Sequence, residues 1–70
     1  MKPIAVESTT LATVAYDANG KLLQLEFRDR TGYQFFKVPA DVHEALLHAP
    51  SKGSYFNSAI RGRFTYSRMI

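Results

Sequence analysis

Seventy residues make a single domain with no room for a second, and the absence of cysteine excludes disulfides and thiolate metal sites. Hydrophobic residues make up 46% and charged residues 21%, an ordinary globular balance, and no apolar run is long enough to span a bilayer. The net charge of +3 is unevenly spread: every acid lies at or before Glu44, and beyond it come Lys52, Arg61, Arg63 and Arg68. A basic C-terminal part points to an acidic partner such as nucleic acid, or simply to a solvated face.

A chain this short buries only about 60% of its unfolded surface, so its core must be rich in large side chains. Five Phe and four Tyr meet that need. The stretch from Met1 to Glu7 reads as a loose arm without the apolar segment of a signal peptide, and a cytoplasmic location is expected. Ordered structure is expected from about residue 8 to about residue 66.

From Leu11 to Tyr16 the pattern is strand-like, with Ala12, Val14 and Tyr16 on one face and Leu11, Thr13 and Ala15 on the other. Asp17-Ala18-Asn19-Gly20 is a turn signal, and Asn19-Gly20 suits the positive φ of a tight hairpin. The second strand runs from about Lys21 to Arg28. Leu23, Leu25 and Phe27 form its buried face, and Leu22, Gln24, Glu26 and Arg28 its wet face. After a turn at Asp29–Gly32, the third strand places Tyr33, Phe35 and Lys37 opposite Gln34, Phe36 and Val38. Tyr33 and Phe35 are the better pair to face Leu23, Leu25 and Phe27, which leaves Phe36 on the wet side.

Pro39 suits the first turn of a helix, and Asp41 and Glu44 sit near the end where the helix dipole favours negative charge. Val42, Ala45, Leu46 and Ala49 follow the spacing of one buried stripe, with Leu47 pointing away from it. Pro50 ends the helix and Ser51 reads as the N-cap of another. Tyr55, Phe56, Ala59 and Ile60 form the apolar side of that second helix. Gly62 is its natural terminator, with Arg61 and Arg63 at the negative end of the dipole. Phe64 to Ile70 fits either a short extra strand or an apolar tail laid over the core. The fold expected is α+β: a three-stranded antiparallel meander followed by two helices on one face, β-β-β-α-α.

These motifs resemble the KTSC domain family, a short bacterial module found alone and at the C-terminus of some lysyl-tRNA synthetases. The resemblance runs from about Val6 to Tyr66. Its carriers are Val14-Ala15-Tyr16-Asp17, Leu25-Glu26-Phe27, Tyr33-Gln34-Phe35, Val38-Pro39 and the run from Ala49 to Arg61. The central motif of the family is usually Tyr-x-Tyr; here Phe35 stands at the second position and removes one hydroxyl. The resemblance implies no catalytic residues, and its link to a tRNA synthetase implies a role in RNA binding.

No enzyme is expected from the residues themselves. His43 and His48 are five apart, about 140° around a helix axis, so they do not share one ion, and neither a metal nor another cofactor is expected. Glu44 and His48 read as a minor i, i+4 contact. There is no nucleophile elbow, no carboxylate dyad and no phosphate-cradling glycine loop. Nucleic-acid binding needs cations for phosphates and flat rings for bases. The candidates are Lys52, Arg61, Arg63 and Arg28 as cations, Phe36 and Tyr66 as platforms, and Asn57 as a polar neighbour of Arg61. Arg30, Lys37 and Arg68 are further cations. The rival reading is a protein-interaction or self-associating module, using an apolar sheet face of Phe36, Leu22 and Leu11 or an open sheet edge.

Overall fold

The structure, a computed structural model, describes residues 1–70. Five strands form one antiparallel sheet in sequential order: β1 (Ile4–Ala5), β2 (Leu11–Asp17), β3 (Leu22–Phe27), β4 (Gly32–Phe35) and β5 (Tyr66–Arg68). Helix α1 (Ala40–His48) and helix α2 (Lys52–Tyr55) follow β4, and α2 runs on as a π-helical segment over Phe56–Ile60. The α+β meander with two helices stands, but with two further edge strands. One lies in the expected loose arm and the other in the C-terminal tail.

The central pairing follows the predicted alternation. Leu23 lies opposite Phe35 and Leu25 opposite Tyr33, so these side chains share the face that meets the helices. Leu11, Val14, Leu23, Leu25, Phe35 and Val38 from the sheet side join Leu46, Phe56 and Ile60 from the helices in one buried cluster.

Two side-chain assignments change. Leu11, expected on the wet face, is fully buried. Leu11 pairs with Phe27 while Thr13 pairs with Glu26, so Ala12 is an extra residue in a β-bulge. The bulge turns Leu11 to the same side as Val14, where strict alternation would have sent it outward. Val38, expected beside Phe36, is also fully buried. Lys37 takes a left-handed φ of 58°, which breaks the alternation after β4 and returns Val38 to the core. An apolar patch of Phe36, Leu22 and Leu11 therefore does not form.

In the hairpin turns the positive φ angles fall elsewhere than on the expected Asn19-Gly20. Lys21 (52°) and Arg30 (72°) take them in the two turns, and Gly20 does not. Gly32 is instead a buried strand residue, and a Cβ there would lie 3.3 Å from Ile70. After β5 the chain laps over the outer face of the sheet, with the Met69 amide donating to the Gly32 carbonyl at 2.8 Å. The tail thus takes the first of the expected alternatives, a short strand, and Met69 and Ile70 beyond it remain 42% and 63% exposed and do not cover the core.

The buried side of α1 is rotated from the expected stripe. Leu46 is fully buried and Val42 and Leu47 pack against the core, whereas Ala45 is exposed. Tyr16 explains the rotation. Its ring stacks on His43 at 4.5 Å and its hydroxyl donates to the Val38 carbonyl at 2.6 Å, drawing the His43–Leu47 side inward. Ser51 caps α2 as expected, its Oγ accepting from the Ser54 amide at 3.3 Å.

Candidate functional site

Alternation along β3, β4 and β5 puts Phe27, Tyr33, Phe35 and Tyr66 on the helix side of the sheet, because directly opposed residues of an antiparallel pair share a face. The π-helical segment brings Phe56 against them. Its wide turn closes with the Arg61 amide donating to the Phe56 carbonyl at 2.8 Å. Phe56 meets Phe27 edge-on at 5.2 Å between ring centroids and Phe35 edge-on at 5.7 Å. Tyr33 meets Phe27 at 5.9 Å and Tyr66 at 5.7 Å in the same manner. Each such pair adds about 0.5–1.5 kcal/mol beyond its area.

The rings do not close on one another. They leave a cleft of about 470 Å³, floored by Phe27, Phe35 and Phe56 and walled by Tyr33 and Tyr66. Its rim carries Asp29, Thr31, Arg61 and Gly62. A volume of this size is in the range of small-molecule sites. Tyr66 is 61% exposed, so one ring face is open to solvent. The Arg68 guanidinium lies 6.0 Å from the Tyr33 ring centre, at the outer limit of a cation–π contact.

Asp29 is the best-defined polar group at the rim. Its Oδ1 accepts from the Thr31 amide at 3.0 Å and from the Thr31 hydroxyl at 2.6 Å. The hydroxyl, then the amide, hold its carboxyl below the usual carboxylate range. Arg61 is oriented by Asn57, whose Oδ1 accepts from Nη1 at 3.5 Å, a long contact. Gly62 at φ 74° ends the helix beside it.

Of the residues expected to form a site, the structure brings Arg61 and Tyr66 to this cleft; Asn57 does not line it and reaches it only through its contact with Arg61, and Arg63 is exposed two positions further along the chain. The others lie apart. The Arg28 side chain donates to the Ser8 and Val6 carbonyls and ties down the N-terminal arm. Lys52 donates to the Ala49 carbonyl at 3.2 Å. Phe36 is 38% exposed but outside the cleft, its amide bonded to the Thr65 carbonyl. Asp29 and Thr31, read in the sequence only as turn residues, are the members of the rim that sequence reasoning missed. Their Asp-x-Thr spacing is a signal for a locally bonded carboxylate, but not for the face it lines.

Sheet, paired helices and cleft define a small α+β domain. The chain belongs to the KTSC domain family, whose model matches residues 7–64. A lysine–tRNA ligase of Trichormus variabilis is 38% identical over 63 residues, and one of Nostoc sp. is 40% identical over the same length. The aligned stretch is 90% of this chain but only 11% of either ligase. A protein of Stutzerimonas stutzeri is 36% identical over 61 residues, which cover 87% of this chain and 86% of that one. The crystal structure of a KTSC domain protein from Yersinia pestis superposes with a TM-score of 0.95 at 29% identity, covering 99% of this chain and 97% of that one. No helix is long and apolar enough to cross a membrane.

Proposed function

We propose that this domain is a binding module for single-stranded RNA, with bases held against the aromatic cleft and phosphates held by Arg61, Arg63 and Arg68. The observation that carries this reading is the juxtaposition of the exposed Tyr66 ring and the half-buried Tyr33 ring with Arg61 on the rim and Arg68 beside Tyr33. Rings accept bases of any sequence by stacking, and arginines take the phosphates between them. The ligases among the relatives are named for a tRNA, which favours RNA over DNA as the partner. Lys52 and Arg28, engaged with backbone carbonyls, contribute less in this reading, whereas Arg68 spends only Nε on the Ile70 carbonyl, at 2.6 Å, and keeps its terminal nitrogens for phosphate.

The test is binding of an unstructured oligoribonucleotide, followed by anisotropy as salt rises. Three phosphate contacts give a slope of about −2 in log affinity against log salt, and replacing Arg61 or Arg63 by Ala flattens it by about 0.7 each. No binding at low salt, or an affinity indifferent to salt, overturns the proposal.

Association through the sheet edge has its own support in β1, an outer strand of the sheet whose Ile4 is 56% exposed. Sedimentation that depends on protein concentration, and is abolished by Ile4→Lys, would favour it.

A further inference from the structure

The cleft has a polarity that stacking alone does not use. Its lining includes the Asp29 carboxylate, an acceptor, and the Arg61 guanidinium, a donor. A carboxylate repels phosphate, so Asp29 is out of place in a site for the backbone alone. It is also held in position, since Oδ1 takes both protons that Thr31 offers while Oδ2 has no protein partner. Neither Arg61 nor Arg68 comes within ion-pair distance of it, so acceptor and donor remain separately available.

We infer that the cleft seats one unpaired guanine, with Asp29 accepting from its N1–H and 2-amino group and Arg61 donating to O6 and N7. This rests on the single-stranded RNA reading and assigns the base within it. Guanine is the base whose edges match the rim. It presents two adjacent donors to a carboxylate and two adjacent acceptors to an arginine, the latter the commonest specific contact of that side chain. Adenine and cytosine offer the carboxylate one amino group. Uracil offers a single N3–H between two carbonyl oxygens that the carboxylate repels. The aromatic walls supply the stacking that holds an unpaired base.

The experiment compares oligouridylates that carry one central G, A, C or U, binding the full chain at constant ionic strength. The G oligomer is expected to bind about tenfold tighter than the all-U oligomer. Asp29→Asn keeps an oxygen for the Thr31 amide and is expected to abolish that preference. With that variant the G oligomer and the all-U oligomer are expected to bind equally. A titration of the unsubstituted chain needs no variant: GMP should shift the Thr31 and Gly62 amide resonances at lower concentration than UMP does. Equal, salt-dependent binding of all four oligomers overturns the guanine assignment and leaves the RNA reading standing, as does a G preference that survives Asp29→Asn. Failure of every oligomer to bind at low salt overturns both.

Discussion

Asp29 and Thr31 form a two-residue device whose protonation has a definite sign. The Thr31 hydroxyl and amide both donate to the ionised carboxylate, so its folded-state pKa lies below the ordinary value of 3.8. A pKa depressed by folding contributes stability above the unfolded value, and that contribution is lost as pH falls through the folded one. Thr31→Val removes the hydroxyl donor and keeps the amide. The Asp29 pKa should then move up toward its ordinary value, and the stability it contributes above that value should shrink. An NMR titration of the side-chain carboxyl carbon reads this directly, and an unmoved midpoint would contradict the assigned cause. This device was half legible in the sequence. Spacing marks Asp29 as a turn residue with a near-neighbour donor, but nothing local says that the turn overlooks a cleft.

Two glycines of the helical region do different work, and their alanine variants separate the reasons. Gly53 lies in α2 where that helix rests on the residue preceding β2, and a Cβ there would come 2.5 Å from Thr10 Oγ1. Gly53→Ala forces a shift and should cost roughly 1–3 kcal/mol, as overpacking does. In a Thr10→Ala background part of that cost should return. Gly62 has nothing within 4 Å of a Cβ but sits at φ 74°, so Gly62→Ala should cost about 1–2 kcal/mol from conformation alone. Thr10→Ala should not relieve it. Urea denaturation of the two singles and the two doubles makes the comparison, and a failure of Thr10→Ala to rescue Gly53→Ala would show that the contact is not the cause. Gly62 is readable from sequence as a helix terminator. Gly53 is not, because its constraint comes from a residue more than forty positions earlier.

At the scale of the whole molecule, a small core leaves little reserve. A domain of 70 residues has about 4–10 kcal/mol of stability to lose. Leu11 is fully buried among Val14, Leu25 and the helices, placed there by the bulge at Ala12. Leu11→Ala should therefore cost about 2–5 kcal/mol, a large share of the total. Strict alternation puts the same side chain in solvent, where the substitution is worth within about 0.5 kcal/mol either way. A shift in the urea midpoint distinguishes the two placements, and a near-neutral Leu11→Ala would refute the bulged register.

The sequence by itself determined the family, the antiparallel meander, the pairing of the Leu23–Leu25 face with Tyr33 and Phe35, the Ser51 cap and the Gly62 terminator. All of these rest on patterns complete within about ten residues: a period of two, a cap, a helix-ending glycine. Only the tertiary structure decided that β1 and β5 join the sheet, since strands of two and three residues carry no period of their own. It also decided that α1 turns its His43–Leu47 side inward, and that Phe27, Tyr33, Phe56 and Tyr66 enclose a cleft. The reason is the same in each case. These features are set by surfaces that meet from distant parts of the chain, and the free energy that selects them exists only once those surfaces are in contact.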